Sequence, residues 1–325
     1  MTTESVTQKT SGLNKINIIL IGLLVIQALL MAAVYWPKAA AGKSELKLEG
    51  VTKDNITALH IIDAEGKEIA MKKTGEGWVL PEMGDYPVDE SKITPLLEKL
   101  DGFKTNRLVT RTKESHKQLQ VADDDFARKL EITTADGQVH TLYVGASGGP
   151  GATHVRLSGE PEAYLTGDLT SWDINTAPSG WIDNLYFTLD KDAVLGLSLK
   201  NSAGQLDFSK DDEGNLVLND LQEGEEMDTA AANGLLNRVI SVRMSRPLSK
   251  EENPAYGLDK PQASVTLRAK TDDGSQTYTL LLGQPYGDQD EYVFHASNSP
   301  YYVLVSNYIA DDLSQKTRQD FIKKP

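Results

Sequence analysis

The glycine-rich run Gly145-Ala146-Ser147-Gly148-Gly149-Pro150-Gly151 is the first place to look for chemistry. A phosphate-cradling loop joins a strand to a helix N-terminus, and the Walker type adds Lys followed by Ser or Thr. Here a strand pattern, Thr153–Leu157, comes next and no lysine does, so the run reads as a floppy connection between strands. The five histidines, His60, His116, His140, His154 and His295, include no pair at metal-ligand spacing on one helix. The chain has no cysteine, which excludes disulfides, thiolate metal sites and cysteine nucleophiles. His140 and His154 could meet across neighbouring strands beside a carboxylate; scattered strand or loop histidines are the expectation. The acidic clusters Asp123-Asp124-Asp125, Asp211-Asp212-Glu213 and Asp288-Gln289-Asp290-Glu291 lack the alternating ligands, central glycine and distal glutamate of an EF-hand loop. They read as solvated turns. Ser147 and Ser179 sit beside glycines and are read as lacking the frame of a nucleophile elbow. Tyr286, Tyr292, Phe294, Tyr301, Tyr302 and Tyr308 could form a glycan or peptide platform, but tyrosine and phenylalanine also suit strands whose alternate positions face a core, and the core is expected. No catalytic, cofactor-binding or metal-binding residue is assigned, no cofactor is expected, and the protein is expected not to be an enzyme.

The elements that would position any site come twice. Trp78, Asp89, Leu96-Leu97, Arg107, Val121, Leu130, Asp136-Gly137, Gly145, Val155 and Tyr164 recur as Leu216, Asp228, Leu235-Leu236, Arg246, Leu258, Leu267, Asp273-Gly274, Gly283, Val293 and Tyr302. The displacement stays between 137 and 139 residues, a period too long for a solenoid and right for two duplicated domains. Each copy opens with strands, Ala58–Asp63, Lys67–Lys73 and Trp78–Leu80, then Val194–Leu199, Gln205–Lys210 and Leu216–Leu218. A helix follows, capped by Asp89 or Asp228. Ile93, Leu96, Leu97 and Leu100 form the apolar stripe of the first, and Leu235, Leu236, Val239 and Ile240 that of the second. Pro95 is cheapest in a first turn, so that helix is expected to start near Ser91. After a loop come Asp-Gly hairpins, Lys129–Thr134 with Val139–Val144 and Val265–Ala269 with Thr277–Leu282. Short strands (His154–Leu157, Ala163–Thr166; Tyr292–His295, Tyr301–Val305) and helical tails at Leu169–Trp172 and Tyr308–Leu313 close the copies. The fold class expected is α+β: two tandem homologous domains, 56–188 and 189–325, mainly antiparallel sheet, each with one main packed helix.

Ile16–Trp36 carries no charge over a length that spans the roughly 30 Å hydrocarbon core of a bilayer as a helix. It is read as an uncleaved transmembrane anchor, with 1–15 a cytoplasmic tail and 37–55 a linker, although Ala39-Ala40-Ala41 offers a signal-cleavage site. Lys9 and Lys15 before the segment and Lys38, Lys43 and Lys47 after it leave the positive-inside count undecided. A short N-terminus and a long remainder point to a single-pass protein of the inner membrane with a periplasmic domain. The formal net charge is −14. Such an acidic surface repels phosphate backbones, so no nucleic-acid partner is expected.

In the second copy, Tyr256-Gly257-Leu258-Asp259-Lys260-Pro261 precedes the Asp273-Gly274 hairpin, Leu282-Gly283 and Tyr292-Val293. This layout resembles a family of membrane-anchored bacterial proteins called domain of unknown function 4340. The first copy departs from it, with Leu119-Gln120-Val121-Ala122 at the Tyr-Gly-Leu-Asp step. The resemblance implies an auxiliary component of ABC-type transport systems, similar to those tied to gliding motility, and brings no functional residues with it. The function expected is therefore a non-enzymatic membrane-anchored accessory or scaffold protein of an envelope or transport assembly, with membrane-protein partners. The alternative is an extracytoplasmic binding module for a glycan or peptide, using a cleft between the domains.

Overall fold

The computed structural model describes residues 23–27, 45–287 and 290–323. The chain divides into two compact units, 1–45 and 46–325. In the first, Leu23–Gln27 is helical, and the rest of the expected anchor 16–36 and the tail 1–15 lie outside the described residues. Among the described residues no helix is long and apolar enough to cross a membrane.

The second unit is mainly antiparallel sheet with few helices. Its first half contains β1 (Leu46–Lys47), β2 (Ile56–Asp63), β3 (Glu68–Thr74), β4 (Gly77–Leu80), β5 (Tyr86–Pro87), α1 (Glu90–Leu100), β6 (Lys104–Thr105), β7 (Arg107–Thr110), α2 (Lys113–Gln118), β8 (Arg128–Thr134), β9 (Val139–Gly149), β10 (Ala152–Leu157) and β11 (Ala163–Thr166). The other half contains β12 (Leu185–Thr188), β13 (Val194–Asn201), β14 (Gly204–Lys210), β15 (Leu216–Leu218), α3 (Thr229–Val239), β16 (Ser241–Arg243), β17 (Arg246–Ser249), β18 (Ala263–Thr271), β19 (Gly274–Pro285), β20 (Glu291–Ala296), β21 (Tyr302–Ser306) and α4 (Asn307–Ser314). The large sheets run β5-β4-β3-β2-β8-β9-β10-β11-β7 and β15-β14-β13-β18-β19-β20-β21-β17. Apart from β5 the order is the same. Two-stranded ribbons, β1 with β6 and β12 with β16, complete the parallel.

The alternating sequence produces these sheets for a simple reason: successive strand side chains face opposite sides. Along β18 the buried residues are Ala263, Val265, Leu267 and Ala269, with partly or fully exposed ones between. One contiguous apolar core runs through both halves. The helices seal it. Asp89 accepts a hydrogen bond from the Ser91 amide and Asp228 one from the Ala231 amide, both at 2.9 Å, as the capping signal predicts. The α1 stripe Ile93, Leu96, Leu97 and Leu100 is buried, each side chain contributing about 1.5–3 kcal/mol. The same cap residues tie each half to its own end. The amide of Asp89 donates to Trp181 O at 2.7 Å, and that of Asp228 to Phe321 O at 2.8 Å.

Four local expectations need correction. Leu46, Leu48 and Val51 are buried and β1 pairs with β6, so folded structure begins inside the stretch read as linker 37–55; its apolar residues are too few to show a period. The helix α1 begins at Glu90, which leaves Pro95 in its second turn. The loop after β7 contains α2, whose buried residue is His116. Leu169–Trp172 is not a helix. There Asp173 accepts from both Thr170 N (2.8 Å) and Thr170 Oγ1 (2.9 Å), a side-chain turn that competes with helical bonding, and Lys99 holds the other carboxylate oxygen at 2.6 Å.

Candidate functional site

A cleft of about 520 Å³ lies in the first half, between α2, residues 122–124 and the turn 159–161. Its floor is Arg156 on β10, a buried charge. The counterpart of Arg156 at the repeat spacing is Phe294, which is fully buried. One half thus holds a guanidinium where the other holds a ring. Burying that charge requires satisfying it. Nε donates to Val121 O at 2.6 Å, Nη1 to Glu160 O at 3.0 Å, and Nη2 to Asp123 Oδ1 at 2.6 Å. The guanidinium carbon lies 4.7 Å from the Tyr143 ring centre, a cation–π contact. Arg156 therefore pins the loop 121–123 to the turn 157–160.

The rim is basic. Lys117 pairs with Asp124 at 2.9 Å and Arg111 with Glu162 at 2.9 Å, while Lys113 is exposed beside them. The hydrogen bond from Arg156 holds Asp123 below the usual carboxylate range, and that from Lys117 does the same for Asp124. His116 Nε2 donates to Pro161 O at 2.8 Å, which closes the back of the cleft. The arrangement can present cations to a carboxylate or other anion. It has no nucleophile and base in hydrogen-bond reach of each other. One cue to it stood in the sequence, the acidic triplet Asp123-Asp124-Asp125, of which Asp123 pairs with Arg156 and Asp124 with Lys117.

The residues singled out from sequence do not converge. Strand β9 continues to Gly149 and β10 starts at Ala152, so Gly145–Gly149 is strand and the hairpin turn is Pro150-Gly151, not a floppy connection. Gly145-Ala146-Ser147-Gly148-Gly149 does have Gly-x-Ser-x-Gly spacing, so Ser147 is not out of frame. It fails as an elbow for another reason: an elbow is a strand-to-helix turn, and here Ser147 Oγ faces Gly149 O at 3.0 Å inside a hairpin. His140 lies opposite Ile132, whereas His154 Nδ1 bonds Ala146 O at 2.9 Å. Residues 140 and 146 are six apart on β9, roughly 20 Å, so the two histidines do not meet. His60 sits between Glu68 and Glu131, each at 3.0 Å. Among the described residues no group of three or more His, Cys, Asp or Glu could hold a metal. Asp211 Oδ1 accepts from the amides of Glu213 and Asn215, as a turn does; Asp288 and Gln289 lie outside the described residues. Of the six aromatics singled out, Phe294 is buried, Tyr286 and Tyr302 flank buried Tyr256, and Tyr308 alone is largely exposed, at 74%.

A family model described as a domain of unknown function (DUF4340) matches residues 78–261, more than half of the chain. The match starts at Trp78 in the first half and ends with Pro261, the last residue of the Tyr-Gly-Leu-Asp-x-Pro step, so it crosses from one half into the other. No curated protein and no solved structure matches.

Proposed function

The chain belongs to the DUF4340 family, and from that premise we propose that it is a non-enzymatic, membrane-anchored accessory or scaffold protein of an envelope or ABC-type transport assembly. One observation carries the reading. Leu23, Leu24, Val25 and Ile26 form a turn of helix and are 53, 67, 50 and 59% exposed, within an uncharged run from Ile16 to Trp36. An uncharged apolar run long enough to span a bilayer calls for an apolar solvent, and a bilayer core provides one. The anchor is a single transmembrane helix at 16–36, and the folded unit stands on its extracytoplasmic side. The repeated landmarks and the repeated strand order support two tandem homologous domains, 56–188 and 189–325, each with one main packed helix.

The test is protease accessibility in intact cells and after permeabilising the outer layer, combined with crosslinking and mass spectrometry. Cleavage from outside the inner membrane with crosslinks to transporter subunits is the expected result. Protection until the inner membrane is breached, or an absence of membrane-protein crosslinks under several chemistries, overturns it.

A second reading, an extracytoplasmic binding module for a glycan or peptide, is favoured by the exposed Lys113 beside the buried Arg156 in the 520 Å³ cleft. That cleft lies within the first half, not between the halves. It fits an acidic peptide or anionic glycan, and predicts a thermal shift with such ligands that Lys113→Glu removes.

A further inference from the structure

The two halves meet through a joint that has a vacant counterpart at each end of the molecule. After β4, the turn Pro81–Met83 and the corner Gly84–Tyr86 pack on β17, the edge strand of the second sheet. A Cβ at Gly84 would lie 2.9 Å from the Lys250 amide nitrogen and 3.2 Å from Ser249 Cα, so backbone meets backbone there. Tyr301 Oη donates to Asp85 O at 3.0 Å, and the rings of Tyr86 and Tyr301 are 4.6 Å apart. Pro247 and Leu248, the second and third residues of β17, are buried, Leu248 in a cluster with Tyr256, Val293 and Leu304 of its own half.

The same edge of the first sheet is β7. Its second and third residues, Leu108 and Val109, are 37% and 46% exposed. The corner that follows β15 corresponds to the one that follows β4. Leu221 stands three residues beyond Leu218 as Met83 stands three beyond Leu80. Met83 packs against the core, whereas Leu221 is 37% exposed. Arg318 holds this corner in place through Asp220 (3.1 Å) and Glu225 (2.8 Å). The charges match as well. Residues 219–226 read Asn-Asp-Leu-Gln-Glu-Gly-Glu-Glu, an acidic run in which Asp220 and Glu225 pair with Arg318 and Glu226 with Lys323, while β7 opens with the exposed Arg107 and is followed by Arg111, paired with Glu162. The joint inside the chain shows the same polarity, with Glu82 and Asp85 on the corner and Arg246 and Lys250 on the edge.

We propose that the acidic 219–226 corner of one chain docks on the β7 edge of a second copy, repeating between chains the contact that joins the halves within one. The contact is head-to-tail: each copy offers one corner and one edge. Such a heterologous contact does not close on itself at two copies, so it extends into longer series unless a rotation closes a ring. Opposite charges at exposed rims make it salt-sensitive. It also occupies an edge strand that otherwise offers unpaired backbone groups and two exposed apolar side chains to solvent.

Sedimentation velocity of the full-length chain in mild detergent tests this, with Val109→Lys, Leu221→Lys and their equimolar mixture. Both positions are exposed, and circular dichroism checks that each variant stays folded. The wild type is expected to form a concentration-dependent series that shrinks as salt is raised. Each variant alone is expected to be monomeric. The mixture is expected to stop at dimers, because only one intact corner and one intact edge can then meet. A monomeric wild type at every concentration overturns the proposal and leaves β7 to another occupant. Assembly that persists in either single variant overturns it in favour of association elsewhere, such as through the apolar N-terminal segment.

Discussion

Gln120 and Gly257 stand at the same point of the two halves, and both hold left-handed backbone, with φ of 54° and 66°. The residue before each, Leu119 or Tyr256, aims its carbonyl at a glycine on the neighbouring strand. A Cβ on Gly145 would lie 2.1 Å from Leu119 O, and one on Gly283 would lie 2.2 Å from Tyr256 O. The Tyr-Gly-Leu step of one half and the Leu-Gln-Val step of the other are therefore one device, and the glycine each meets is obligatory.

This predicts opposite outcomes for two kinds of change. Gln120→Gly relieves a left-handed side-chain clash and is expected to gain up to about 1 kcal/mol, net of the entropy glycine loses on folding. Gly145→Ala and Gly283→Ala push a methyl into backbone and are expected to cost about 3 kcal/mol or more. Urea midpoints at unchanged slope report both. An unaffected Gly283→Ala would show that the approach relaxes freely.

The helices carry a second matched pair, Pro95 in α1 and Gly234 in α3, each six residues after its cap. Pro95 has no amide to give the Ser91 carbonyl, and a Cβ on Gly234 meets nothing within 4 Å. Gly234→Ala is expected to stabilise by about 1 kcal/mol, and Pro95→Ala by up to about 3 kcal/mol. Thermal melting of the two variants checks this; a loss with Pro95→Ala would mean that the ring's packing outweighs the missing bond.

The hairpins, the caps Asp89 and Asp228 and the apolar stripes were legible in the sequence because each is a local signal: a turn dipeptide, a cap, a period. Repetition made them firmer. What stayed illegible depends on contacts between distant residues. Nothing near Leu46 announces its partner Thr105. Leu169–Trp172 looks helical until Asp173, held by Lys99, turns back on Thr170. Arg156 looks like a strand's outward residue until its three carbonyl acceptors and Asp123 close around it. The equivalence of Gln120 with Gly257 was hidden because backbone conformation is shared while side-chain identity is not.

The Arg156–Asp123 pair makes the first half acid-sensitive. Its hydrogen bond lowers the Asp123 pKa in the folded chain, so the pair's stabilisation is present above the unfolded carboxylate value, about 4. It is lost as pH falls below that value and through the folded one. Asp123→Asn removes the charge and leaves Arg156 buried without its counter-ion. The Asp123 side chain is 71% exposed, so solvent screens the pair and the expected loss at pH 7 is about 1 kcal/mol. Denaturation from pH 7 down to pH 3 should show wild type and variant converging at the acid end. A constant gap across that range would mean that the bond's geometry matters and its charge does not.

The joint between the halves has the opposite pH signature. Burial, helped by nearby Tyr186, Asp183 and Tyr301, pushes the Tyr86 hydroxyl up to about 12. A folded-state value above the unfolded one, about 10, means that the contribution is complete below pH 10 and disappears as pH rises through the folded value. Alkali should therefore loosen the joint between roughly pH 10 and 12. Tyr86→Phe keeps the ring against Tyr301 and removes the titrating group, so it is expected to flatten this alkaline loss. Tyr301→Phe removes the hydrogen bond to Asp85 O and is expected to cost about 1 kcal/mol at neutral pH. Ultraviolet titration of the tyrosines alongside denaturation at stepped pH checks both. If Tyr86→Phe loses stability in parallel with the wild type, the alkaline weakness belongs to other groups, and the joint is held by its backbone contact at Gly84 rather than by the half-buried Tyr86.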